Sequence, residues 1–107
     1  MMGITAGAND RAFSRFAAEV KRRYRPALFL LFGSRARGQA LRESDYDLLI
    51  VSSRFEGVPL TDRMTDIYKM WSLRKGLGCL CLTPEEFDRA SVMISIVQLA
   101  FREGIAL

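Results

Sequence analysis

Three short apolar runs set the terms for this chain. Ala27-Leu28-Phe29-Leu30-Leu31-Phe32 lies between Pro26 and Gly33, Tyr46 to Val51 follows a polar stretch, and Leu77 to Leu82 lies between Gly76 and Thr83-Pro84. Each is too short for a buried helix, and apolar residues do not merely alternate along it. Such runs predict strands covered on both faces, the environment of a sheet sandwiched by other elements.

The covering elements are written between the runs. Asn9 or Asp10 can cap a first helix whose apolar residues Phe13, Phe16, Ala17, Val20 and Tyr24 recur at helical spacing, and Pro26 closes it. Its basic end, Lys21-Arg22-Arg23-Tyr24-Arg25, complements the helix dipole. Ser34 to about Gln39 predicts a short helical turn. Pro59 and Thr61 open a helix with Met64, Ile67, Tyr68 and Trp71 on one side, ending near Gly76. Thr83-Pro84-Glu85-Glu86 is start chemistry: Thr83 caps, Pro84 suits the first helical position and Glu86 completes a capping box. A further helix is expected from roughly Ser91 to Arg102, stopped by Gly104, with Ile105 to Leu107 as a last edge strand. The alternation of helices and apolar strands specifies an α/β fold, a small β-sheet flanked by helices.

Composition narrows the chemistry. Half of the 107 residues are apolar, enough for a core in one domain spanning 1–107. The run from Ser91 to Phe101 is broken by Ser95 and Gln98, too short and too polar for a bilayer span. Met1 to Thr5 lacks a basic region followed by an apolar stretch, so a cytoplasmic location is expected. There is no histidine, which removes histidine bases, Ser-His triads and most transition-metal sites. Cys79 and Cys81 alone match neither a disulfide framework nor a zinc site. Any bound metal should therefore be hard and oxygen-liganded, such as Mg²⁺ or Mn²⁺. The net charge of +4, mostly arginine, suits phosphate-bearing partners, but no basic block is long enough for a nucleic-acid tail.

The segment between the first two strands, Gly33-Ser34-Arg35-Ala36-Arg37 through Asp45-Tyr46-Asp47, carries the chemistry. A glycine leaving a buried strand, with a hydroxyl at a helix start, lets backbone N–H groups approach an anion, and Arg35 and Arg37 add positive charge. By itself this pair serves equally as a turn and a cap. Asp45 and Asp47 are two apart on a strand, so their carboxylates share one face. At about 5 Å and an effective dielectric of 20 they repel by roughly 3 kcal/mol. A divalent cation between them, bridged to a triphosphate, offsets that repulsion, although taken alone the pair reads more readily as a turn residue and a solvated strand end. A phosphate cradle after one strand and an acidic pair opening the next form the minimum apparatus for nucleotidyl transfer.

The stretch "LFGSRARGQALRESDYDLLIV", with its hG-S-x(about ten)-D-h-D-h pattern (h apolar), resembles the signature of the DNA-polymerase-β-like nucleotidyltransferase superfamily, particularly its minimal nucleotidyltransferase (MNT) branch. "LTPEEF" at 82–87 is similar to the segment after that branch's third core strand. The resemblance implies the nucleotidyltransferase fold with a mixed sheet. It makes Gly33 and Ser34 triphosphate binders and Asp45 and Asp47 catalytic Mg²⁺ (or Mn²⁺) ligands, with Arg35 and Arg37 in the phosphate-binding set. It further implies transfer of a nucleoside monophosphate, AMP from ATP, to an acceptor such as a helical HEPN-type toxin partner.

One departure stands out. The resemblance calls for a third carboxylate on the next core strand, near Gly78, yet Leu77 to Leu82 contains no acid. The alternative is accordingly a nucleotide-binding antitoxin, catalytically weak or inactive, that acts by stoichiometric binding. Partner binding also has a candidate surface. Met93, Ile96, Val97, Ala100 and Phe101 make one face of the last helix while Val92, Ile94 and Leu99 lie off it. A helix apolar nearly all round in so small a domain suggests an interface with a protein partner or a second copy.

Overall fold

The computed structural model describes residues 9–32, 46–73, 76–93 and 104–107. Helix α1 (Asn9–Tyr24) leads to strand β1 (Leu28–Phe32), and β2 (Tyr46–Val51) is followed by a 3₁₀ turn at Ser53–Phe55. Helix α2 (Leu60–Met70), strand β3 (Leu77–Leu82), helix α3 (Pro84–Met93) and the short strand β4 (Ile105–Ala106) complete the described order. The expected strands are all present, with β1 starting one residue later than its apolar run.

The sheet is mixed, in the order β3-β2-β1-β4. β1 runs antiparallel to β2 with Leu30 opposite Leu49, and antiparallel to β4 with Leu31 opposite Ile105. β2 runs parallel to β3 with Leu49 opposite Leu80. Strand alternation divides the apolar residues between two faces. On one, Tyr46, Leu48 and Ile50 meet Phe13, Phe16 and Val20 of α1 and Ile67 of α2. On the other, Leu30, Phe32, Leu49 and Val51 are joined by Leu80, Leu82 and Phe87 of α3. Leu31, Leu48, Leu49 and Ile50 are fully buried, each contributing about 1.5–3 kcal/mol relative to exposure. Strand β3 is only half-buried along most of its length, because it lies at the edge of the described sheet.

The expected apolar residues of α1 all pack against the core. Arg25 takes a left-handed conformation, φ 42°, just after α1 ends and ahead of Pro26. The capping box is formed as written: Glu86 N–H donates to Thr83 Oγ1 at 3.1 Å and Thr83 N–H donates to Glu86 Oε1 at 2.9 Å.

Two expectations need correction. Helix α2 stops at Met70, six residues before Gly76, because Trp71 adopts extended backbone and turns its ring into the core. Its buried positions are Arg63 and Ile67, whereas Tyr68 is 41% exposed. The inward arginine is tolerated because acceptors surround it: Nε donates to Val58 O at 2.7 Å, and Nη1 to Cys81 O at 2.9 Å and Glu86 Oε1 at 2.7 Å. Ser91 to Met93, expected to begin a separate helix, instead finish α3, which runs unbroken from its Thr83 cap. The remainder of that predicted helix, and the predicted turn at Ser34–Gln39, fall outside the described residues. Among the described residues, no helix is long and apolar enough to cross a membrane.

Candidate functional site

The site expected from the sequence lies where β1 ends and β2 begins. Of its residues, Asp47 is described; Gly33, Ser34, Arg35, Arg37 and Asp45 lie outside the described residues. Asp47 is the second residue of β2, opposite Phe32, the last residue of β1. Gly33, the first residue of the expected cradle, follows Phe32 directly in the chain.

Asp47 shares its face of the sheet with Leu49 and Val51, the face covered by α3. It is half-buried, unlike the four residues after it. A carboxylate there stands at the margin of an apolar layer, where an ionic partner interacts more strongly than in open water.

What holds this strand end in place is on the other face. Tyr46 is 1% exposed, stacked on Phe13 at a centroid distance of 4.8 Å and edge-on to Trp71 at 5.2 Å. Phe16 also meets Trp71 edge-on at 4.8 Å. Four rings from three segments thus pin the backbone one residue before Asp47. The start of β3 is tied to the same place: Tyr46 N–H donates to Gly76 O at 2.9 Å, and Tyr68 Oη donates to Leu77 O at 2.8 Å. An apolar Tyr46 was legible as a strand residue, but its ring cluster joins positions 13, 16, 46 and 71, and nothing local announces that.

On β3 the direct neighbour of Asp47 is Gly78. This places the acid-free position of β3 squarely beside the expected metal ligand. A Cβ built on Gly78 would lie 2.8 Å from Asp47 Oδ1, so the carboxylate occupies the space above the glycine.

A model of the nucleotidyltransferase domain matches residues 13–100, most of the chain. The chain belongs to the nucleotidyltransferase domain family. Solved structures agree on the fold. A candidate nucleotidyltransferase from Sulfolobus solfataricus aligns with a TM-score of 0.60 at 24% identity, over 90% of this chain and 76% of that one. BolA1 from Arabidopsis thaliana aligns with a TM-score of 0.56 at 23% identity, over 70% of this chain and 94% of its own. The BolA domain of Arabidopsis thaliana SufE1 gives 0.56 at 23%, over 77% and 99%. No curated protein matches the chain. Similar folds therefore occur under different names, and it is the family match, not the fold, that bears on chemistry.

Of the residues expected to hold a hard cation at this nucleotidyltransferase strand end, Asp47 is the described one, and among the described residues no group of three or more potential metal ligands forms. Asp47 offers carboxylate oxygen, and the soft thiols lie elsewhere: Cys79 and Cys81 belong to the layer beneath α1 and α2. Both are free, with their sulfurs 3.2 Å apart. Their mutual hydrogen bond, with burial added, pushes the Cys79 thiol far above its ordinary value, which keeps it a poor ligand, and it packs on the other face of the sheet from Asp47.

The residues that sequence reasoning missed lie at the far end of the sheet. Arg63 is 5% exposed and pairs with Glu86 through both carboxylate oxygens, at 2.7 and 3.3 Å. The Arg63 guanidinium, followed by the Thr83 N–H, lowers the Glu86 carboxyl to about 2. Ser52, also fully buried, donates to Tyr24 O at 2.5 Å and accepts from Arg54 N–H at 3.1 Å. These groups fasten α1, α2 and α3 to the sheet and leave the opposite end for the site. An arginine on an otherwise apolar helix face was the available signal for the first of them.

Proposed function

We propose that this nucleotidyltransferase-family chain transfers a nucleoside monophosphate, AMP from ATP, to an acceptor on a protein partner of the helical HEPN type, in a cytoplasmic setting. The observation that carries the reading is Asp47, set at the start of a buried strand, opposite the last residue before Gly33 and on a ring-braced backbone. Asp47 and Asp45 hold Mg²⁺ or Mn²⁺ in this proposal, and the bound ion neutralises triphosphate charge. Gly33 and Ser34 hold the phosphates through backbone N–H groups, with Arg35 and Arg37 adding positive charge. The protein's own contribution is positioning: the strand end fixes one carboxylate, and the apolar layer around Leu49 and Val51 limits water beside it.

The register of β3 favours a second reading for the same site. Gly78 sits beside Asp47 with no acid anywhere in β3, so general-base help, typically about 10²- to 10⁴-fold in rate, has no source there. Binding then outlasts catalysis, and a partner is neutralised by stoichiometric complex formation, with the apolar residues of the segment 91–102 as the contact surface.

Calorimetric titration of ATP with and without Mg²⁺ tests the shared core of both readings. Asp47→Asn should remove most of the metal-dependent affinity and leave the melting temperature within a few degrees of wild type. Equal ATP binding in the presence and absence of Mg²⁺ by the wild-type chain would dismiss the metal site. Mass analysis after incubation with labelled ATP, Mg²⁺ and the partner separates the readings: an adenylylated partner supports transfer, and an unmodified partner in a stable complex supports stoichiometric binding.

A further inference from the structure

A glycine in a strand ordinarily weakens it, having no side chain to pack and more backbone freedom to lose. Gly78 is such a glycine, in the second position of β3. Gly57 has a positive φ of 77° and a turn to explain it; Gly78 has no such backbone reason. What distinguishes it is the space above its Cα. A Cβ there would stand 2.8 Å from Asp47 Oδ1 and 4.0 Å from Asp47 Cγ, while the nearest backbone atom, Tyr46 O, is 3.8 Å away. The contact is therefore with the carboxylate and not with the strand beneath it.

We propose that Gly78 is a positioning residue for Asp47: the missing side chain is the seat in which the carboxylate rests. The proposal depends on Asp47 being the metal ligand of the reading above. Any side chain at 78 makes the carboxylate rotate about its own side-chain bonds, because that end moves more easily than two paired strands. A carboxylate turned away presents its oxygens in another direction, and ligand orientation controls metal affinity. For the same reason Gly78→Asp does not place a third acid in open space. The new carboxylate competes with Asp47 for one position.

The test is a double-mutant cycle on the full chain, with Gly78→Ala and Asp47→Ala singly and together. The readouts are melting temperature without metal and ATP affinity by calorimetry with Mg²⁺ or with EDTA. Beside Asp47, Gly78→Ala should cut the Mg²⁺-dependent gain in ATP affinity by about tenfold or more. In the Asp47→Ala background the space is vacant and alanine is the better strand residue, so the same substitution should be more favourable to the melting temperature there than beside Asp47. A Gly78→Ala chain that folds only in the Asp47→Ala background would be this coupling at its extreme, and would support the proposal. Wild-type Mg²⁺-dependent affinity in folded Gly78→Ala, or an equal thermal effect in both backgrounds, would overturn it. If Asp47→Ala alone leaves Mg²⁺-dependent affinity intact, the metal reading fails and the positioning role falls with it. The thermal coupling between 47 and 78 would then remain as a packing effect, so the two failures are distinguishable.

Discussion

The two ends of strand β3 handle charge in opposite ways. At its finish, beside Cys81 and Thr83, the buried Arg63 is met by Glu86, two backbone carbonyls and the face of Phe55 at 5.6 Å from its ring centroid. At its start, a half-buried carboxylate lies over a glycine, and the ligands expected to complete its surroundings come from the segment between β1 and β2. The first arrangement is closed and serves stability. The second rests on a missing side chain: the carboxylate takes the place that a Cβ on Gly78 would fill. A buried ion pair is weak evidence for net stabilisation, but breaking one side of it is costly. The two ends should therefore respond differently to substitution.

The largest effect is expected from Glu86→Ala. It leaves the Arg63 guanidinium buried without its counter-charge and removes half of the capping box, so a loss of about 3–5 kcal/mol is expected by chemical denaturation. Replacing the pair together, Arg63→Met with Glu86→Gln, should cost less than Glu86→Ala alone, since no charge is then left buried. In each folded variant the Mg²⁺-dependent ATP affinity should match wild type. A clamp-end substitution that weakens it would break the division between the two ends.

Acid should act at the same end. The Glu86 carboxyl titrates at about 2 in the folded chain against an ordinary value of 4.5. A lowered folded value means that the unfolded chain takes up the proton first. The stabilisation is thus complete above 4.5 and is lost as pH falls toward 2. Glu86 keeps about a third of its side chain exposed, so solvent screening moderates the size of the effect. Thermal melts across this window should fall more steeply for wild type than for Glu86→Gln, and parallel curves would remove Glu86 as the source.

Thr83→Ala is the smallest perturbation. It removes the hydroxyl that accepts from Glu86 N–H and should cost about 1 kcal/mol, with the Arg63 pair intact. A much larger loss would mean that Thr83 orients Glu86 for Arg63, making cap and clamp a single unit.

The sheet was legible because its strands are short, continuously apolar and punctuated by glycine and proline, a pattern that local physics reads without partners. The α3 start was legible for the same reason, since Thr83, Pro84 and Glu86 cap one another within a single turn. The candidate site was read as residue types, an acidic pair at a strand start and a Gly-Ser at a strand end, and of these Asp47 is described. Helix α2 was misread where the answer lay elsewhere in the chain. Apolar spacing put Tyr68 inward and ignored Arg63, because the acceptors for Arg63 belong to β3 and α3, 18 and 23 residues away.

By itself, then, the sequence determined an α/β fold and the edges of its strands, since each follows from neighbours along the chain, and it proposed residues for phosphate and a hard metal. The tertiary structure decided which ends of the strands meet. It set Phe32 and Gly78 on either side of Asp47, braced the strand start with rings from three segments, and closed the other end around Arg63. Those are consequences of strand register and helix docking, which depend on which surfaces bury one another. That is why Gly78 was visible from the sequence only as a position lacking an acid, and in the fold as the space that a carboxylate occupies.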